Sequence, residues 1–229
     1  MVNQLSSTDT PIAELPGDAL RERAVDQLRS ELGEALLDSL VKPGDDMWVR
    51  VRADAWREAG VALRDVVGLD YFCFLSAIDW MPSPYGRGED DPTQPQAERD
   101  MTIKQGYVGG DTRFQLFARA CSISMHFGVT IKADIGDDMT MPTWIPVYAG
   151  ANWHEREAHE MFGINFAGHP DLRNMYLPTG FEGYPMRKDF PLLARMVKPW
   201  PGIVDVEPLP GEPADDAASD ETPGEGGES

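Results

Sequence analysis

The stretches RFQLFARACS, residues 113–122, and MHFGVTIKADI, residues 125–135, decide the fold. Both read as β-strands, because aromatic and β-branched side chains recur through them without the spacing of a helix. Working outward, MTIKQGYV at 101–108 is a third strand candidate, and Gly109-Gly110-Asp111 suits a tight hairpin leading into the next. YFCFLSAID, 71–79, is an almost unbroken apolar run and reads as a central strand; MWVRVR, 47–52, alternates like a half-exposed one. Before these, Asp18 can cap an amphipathic helix carrying Val25, Leu28, Leu32, Leu36 and Leu40, closed before Pro43-Gly44. Asp54 opens a second helix with Trp56, Leu63 and Val67 near one face. No strand-helix unit repeats at equal length, so the pattern predicts one small α+β domain over 18–150. Its sheet is mixed or antiparallel, with helices on one face and the other face partly open.

Around this domain the composition changes. Residues 1–17 are polar and predict disorder, and PSPYGRGEDDPTQPQAERD at 82–100 predicts a mobile surface loop. MPTWIPVYAG, 141–150, leads into ANWHEREAHEMFGINFAGHPDLRNMYLPTGFEGYPMRKDF, 151–190, which holds three of the chain's four histidines. Its start predicts a short helix, capped by Asn152 with Glu155 as capping-box partner, lined by Trp153, Ala158, Met161 and Phe162, and stopped by Gly163. Gly168, Pro170, Pro178, Gly180, Gly183, Pro185 and Pro191 then break any regular element. So many aromatic and aliphatic residues share that segment that it must lie on something, and 151–200 reads as a helix followed by an extended docking arm. Residues 201–229 read as extended to disordered; from Ile203 on they carry nine acidic residues and no Lys or Arg. The end beyond Ala214 has no apolar anchor and is expected to be dispensable.

Charge and motifs exclude several functions. A formal net charge of -19 argues against nucleic acid, whose phosphates need a basic surface. Mean hydropathy is -0.38 and no apolar run approaches the length of a membrane span, so a cytosolic chain that can dock on a membrane complex is expected. Cys73 and Cys121 each sit in an apolar run, read as buried thiols of a reducing compartment, and cannot by themselves hold an iron-sulfur cluster. His154 and His159 invite a zinc reading, but a spacing of five turns them about 140° apart on a helix, where one ion cannot take both. Glu155, Glu157 and Glu160 can be proposed as acid/base carboxylates, yet with Arg156 among them they read better as structural or interface salt links. No G-x-G-x-x-G, P-loop, CxxC or G-x-S-x-G motif occurs in a supporting context.

A resemblance joins these readings. The run E-R-E-x-x-E-M-F from Glu155 to Phe162, six further residues, then His169, Arg173 and the pair Met175-Tyr176 resembles the signature of the C subunit of respiratory NADH:quinone oxidoreductase (complex I), the family of the 30 kDa subunit. GHPDLR and EGYPMRKDFP resemble it too, with Glu160 standing where the family usually has Asp. The resemblance implies a cofactor-free, non-catalytic subunit of the peripheral arm, on the cytoplasmic side of the cell membrane. It would pack against the D subunit, which holds the quinone site, and lie near the B and I subunits, with FMN and iron-sulfur clusters in partner subunits. The implied signature and interface residues are Glu155, Arg156, Glu157, Glu160, His169, Arg173, Arg187, Lys188 and Asp189, the basic ones directed at partner carboxylates or carbonyls. Two alternatives remain: the same scaffold role in a related quinone-reducing or hydrogenase-type membrane complex, and a stand-alone soluble hydrolase.

Overall fold

Alternation along three strands builds one sheet with two unlike faces. In the computed structural model, which describes residues 18–84, 98 and 100–191, β1 (Leu36–Leu40), β2 (Met47–Val51), β3 (Tyr71–Asp79), β4 (Phe114–Ser122) and β5 (Phe127–Asp134) form a five-stranded sheet in the order β1-β2-β5-β4-β3. β2 runs parallel to β5 and every other neighbour is antiparallel, so the sheet is mixed. Register puts Met47, Val49 and Val51 beside Val129, Ile131 and Ala133, and these beside Ala120, Ala118 and Leu116. All are buried. The residues between them, Trp48, Arg50, Lys132, Phe117 and Arg119, fall on the opposite face, as the period of two requires.

Helices cover the apolar face. α1 (Ala19–Leu32) starts at Asp18, whose side chain accepts from Arg21 N, and it inserts Leu28 into the core. α2 (Trp56–Val61) buries Trp56 and Ala59, then widens into a π-helical turn, Ala62–Val66, that buries Leu63. Full burial of an aliphatic side chain of this size is worth about 1.5 to 3 kcal/mol.

Four expectations need correction. Residues 71–79, expected as a central strand, form the edge strand β3, which pairs with β4 on one side; its apolar run is spent on ring contacts, Phe72 with Tyr148 and Phe74 with Phe117, and not on a second neighbouring strand among the described residues. The first helix ends at Leu32, because Gly33 takes φ 53; Leu36 and Leu40 belong to strand β1, their spacing fitting either period. Asp54 caps nothing: it lies in a 3-10 turn, Ala53–Ala55, and pairs with Arg52 at 2.7 Å. Residues 101–108 form no strand, so the 109–111 junction joins no hairpin. Gln105 instead donates to Thr112 O at 2.8 Å, Met101, Ile103 and Tyr107 stay exposed, and Tyr107 meets Lys42 and Trp48 from the polar side of the sheet. The expectations for residues 1–17, for almost all of 82–100 and for 192–229, tail truncation included, lie outside the described residues.

A second, smaller sheet went unread in the sequence. β6 (Thr140–Pro142) pairs in parallel with β7 (Asn165–Ala167), and between them runs α3 (Ala151–Phe162). Arg57 ties the pair to α2 by donating to Thr143 O and Ala167 O, at 3.1 and 3.3 Å.

Candidate functional site

The charged helix α3 follows Gly150 with no side-chain cap, so Asn152 and Glu155 form no capping box. Glu155 is fully buried and faces the preceding segment, accepting from Thr143 Oγ1 and Trp144 N, both at 2.5 Å. Trp144 in turn donates Nε1 to Trp56 O at 2.8 Å and stacks on the Trp56 ring at 4.6 Å. Glu155 therefore fastens α3 to the core. Burial pushes its pKa up to about 7, against the opposing pull of the two hydrogen bonds and Arg57.

One turn on, Glu160 is nearly as buried, at 4% exposed, but has a different set of partners. Its carboxylate accepts from three consecutive backbone N–H groups: Met175 at 2.9 Å, Tyr176 at 3.0 Å and Leu177 at 2.5 Å. Burial acts to raise its pKa, yet the three donors and nearby Arg156 hold it below the ordinary carboxylate range. Arg156 reaches the same segment, donating Nε to Arg173 O at 3.0 Å. Helix and irregular segment are thus joined by one carboxylate and one guanidinium.

The segment's far end closes over the end of α3. Gly163 takes φ 78, where a Cβ would also meet Arg187 Nη2 and the Tyr184 ring at 2.6 Å, so both backbone and space demand glycine. Arg187 donates Nε to Phe162 O at 2.7 Å and lies over Tyr184, its guanidinium 4.4 Å from the ring centroid. Met186 N bonds Met161 O at 3.2 Å. Lys188 N reaches Asp79 Oδ2 at 2.8 Å, and Asp79, buried at the end of β3, also takes a two-pronged contact from Arg113 at 2.8 and 2.6 Å. Arg113 spans from there to Asp189 at 3.0 Å. Burial works against ionisation of Asp79, but Arg113 and the backbone N–H groups of Lys188 and Met81 keep its pKa low. Arg156 and Arg187, expected to face partner chains, each place their Nε donor on a carbonyl of this chain.

The other named residues are less engaged. His169 accepts from Asp171 N through Nδ1, so Nε2 carries the proton and donates to Asn152 O at 3.3 Å. His159 Nδ1 meets Ile164 O at 2.8 Å, and the His154 ring stands edge-on to Phe72. Glu157 is half-buried, and Arg173 and the Lys188 side chain are exposed, Arg173 pairing with Asp171 at 3.3 Å. Trp153, expected against the core, is 69% exposed, and Tyr176 is 62% exposed; Met186, Tyr184 and Phe181 are also exposed. Among the described residues no group of three His, Cys, Asp or Glu side chains could hold a metal ion, and no helix is long and apolar enough to cross a membrane. Asp79, Arg113, Arg57 and Thr143 were missed in the sequence. The partners of these side chains described above lie 12 to 110 residues away, and no local pattern marks them.

Chemically the site is a set of backbone clamps with an aromatic and basic outer face. Residues 49–196 match the profile of the family described as respiratory-chain NADH dehydrogenase, 30 Kd subunit, a range that takes in β3, β4 and β5 and these clamps. The second C subunit of NADH-quinone oxidoreductase from Rhizobium etli is 51% identical over 80 residues, which cover 35% of this chain and 43% of that protein. The NADH-quinone oxidoreductase C subunit of Rhodopseudomonas palustris is 42% identical over 93 residues, 41% of this chain and 45% of its own. The matched part spans less than half the length of these relatives. A solved trypsin-resistant fragment of Nqo5 has a TM-score of 0.45 at 18% identity, covering 66% of this chain and 98% of the fragment.

Proposed function

Because the chain belongs to the family of the respiratory-chain NADH dehydrogenase 30 Kd subunit, we propose that it is a non-catalytic, cofactor-free subunit of the peripheral arm of a proton-translocating NADH:quinone oxidoreductase. It supports assembly and the quinone-site subunit while electrons pass from NADH to quinone through FMN and iron-sulfur clusters held elsewhere. The D, B and I subunits are its partners, and it sits peripherally on the cytoplasmic side of the cell membrane. The observation that carries this reading is the outer face of the clamped segment. Internal hydrogen bonds tie its backbone down while Tyr176 and Met186 stay exposed and Arg173 and Lys188 add positive charge to a strongly acidic chain; on α3, to which the segment is clamped, Trp153 is exposed as well. Exposed large apolar groups beside basic ones, on a backbone already ordered, are what a protein interface uses as anchors, since little ordering entropy is lost on docking.

The test places Trp153→Glu together with Tyr176→Glu in a strain whose own copy of the gene is deleted. The amount of assembled complex extracted from membranes falls at least about tenfold, as loss of two anchors worth about 1 to 2 kcal/mol each requires. NADH:quinone activity per assembled complex changes little. Normal assembly with quinone reduction abolished, or NADH oxidation by the purified chain alone, overturns the reading.

A further inference from the structure

Cys73 and Cys121 are 48 residues apart in sequence, yet their sulfurs stand 3.6 Å from one another. The sheet brings this about through a defect. β3 and β4 pair Phe72 with Ala120 and Phe74 with Arg119, which leaves Cys73 as the extra residue of a bulge. The bulge directs the Cys73 thiol to the polar face beside Cys121, whose own cross-strand partner is Tyr71. Neither thiol is buried, which corrects the expectation from their apolar surroundings: both are free and half-exposed. Arg119 joins Cys73 to Asp46, donating Nη1 to Cys73 Sγ at 3.0 Å while its other two nitrogens hold the Asp46 carboxylate. A guanidinium fixed in that position is a counter-ion for charge that develops on the Cys73 sulfur.

We propose that Cys73 and Cys121 are a peroxide-oxidisable dithiol, with Cys73 the attacking and Cys121 the resolving cysteine. The Cys73 thiolate attacks one oxygen of hydrogen peroxide, the O–O bond breaks, hydroxide leaves, and Cys73 becomes a sulfenic acid. The Cys121 sulfur then attacks Cys73 Sγ, an S–S bond forms as the S–O bond breaks, and the Cys121 proton leaves with the oxygen as water. In total two thiols lose two hydrogens and one peroxide becomes two waters. Burial, with Cys73 as neighbour, raises the Cys121 pKa, which disfavours Cys121 as the thiolate that attacks peroxide and leaves that step to Cys73 beside Arg119; in the second step the departing hydroxide takes the Cys121 proton as its sulfur attacks. The sulfurs need to close from 3.6 Å to about 2.05 Å, a movement that side-chain rotation at a bulge can supply. The product is a staple across β3 and β4.

The reduced full chain, folded and treated with hydrogen peroxide, should lose both thiols to alkylation and two hydrogens of intact mass. A proteolytic digest should yield one peptide pair linked through Cys73 and Cys121, and dithiothreitol should restore both thiols. Cys121→Ser should stop at a Cys73 sulfenic acid that dimedone captures, Cys73→Ser should leave Cys121 unmodified, and Arg119→Gln should slow the first step about tenfold. Persistence of both thiols in the wild-type chain, linkage only between chains, or sulfinic acid on Cys73 without a bridge overturns the proposal. The wild-type mass and digest decide it even if a variant misfolds. Dimedone capture on Cys121 instead of Cys73 overturns the assigned roles.

Discussion

Glu155 and Glu160 sit five residues apart on one helix, both buried, and the fold treats them in opposite ways. Glu155 meets one hydroxyl and one backbone N–H deep against Trp144, and its pKa rises to about 7. Glu160 meets three backbone N–H groups at the rim, and its pKa falls. A carboxylate's charge survives burial when enough donors converge on it; with two donors in a deeper place, desolvation wins. The two residues differ in role accordingly: Glu160 holds an irregular segment to the helix, and Glu155 seals the helix to the core.

The largest test of this contrast is Glu160→Ala. It strips a charged acceptor from three N–H groups at once, and the chain should lose about 4 kcal/mol of stability in denaturant unfolding, with residues 170–190 becoming the first site of proteolysis. A loss below about 1 kcal/mol would mean that the segment is held by its other contacts and that the carboxylate is incidental.

Next is the pH dependence, where the two residues should act with opposite sign. Because Glu155 binds its proton more tightly folded than unfolded, its contribution is full below about pH 4.5 and is lost as pH rises through about 7, a swing of about 3 kcal/mol at most. Glu160 has the depressed pKa, so its contribution is present above about pH 4.5 and is lost as pH falls through its folded value. Glu155→Gln should therefore flatten the stability profile between pH 5 and 8, and Glu160→Gln should flatten only the acid side, a limb it shares with Asp79. Identical profiles for the two variants would erase the contrast.

Smaller effects come from the ends of the clamp. Arg187→Met removes a bond to Phe162 O and a ring contact, and should cost the isolated chain about 1 to 2 kcal/mol by thermal melting. An unchanged melting temperature would return Arg187 to an intermolecular role. Smallest of all, Trp153→Ser in the isolated chain should change stability by less than about 0.5 kcal/mol, because the ring lies mostly in solvent. A larger loss would show that Trp153 supports the fold, removing it from the docking face.

Residues 47–51, 71–79, 114–122 and 127–134 were legible as strands from their own side chains, but the unbroken apolar run of 71–79 did not give its place, which is the edge of the sheet and not its centre. The same local information determined the Asp18 cap, the Gly163 stop, the α+β class and, through fixed offsets of charged and aromatic residues, the family resemblance of 155–190. Tertiary structure alone decided the rest. Leu36 and Leu40 satisfy helical and strand spacing alike, and only pairing with β2 selects the strand; residues 101–108 pair with no strand among the described residues. Whether Glu155 caps a helix or seals a core, and whether Arg187 faces a partner or Phe162, turns on groups far along the chain. Such choices are energies of desolvation and pairing between distant residues, and a one-dimensional pattern carries the types of those residues but not their distances.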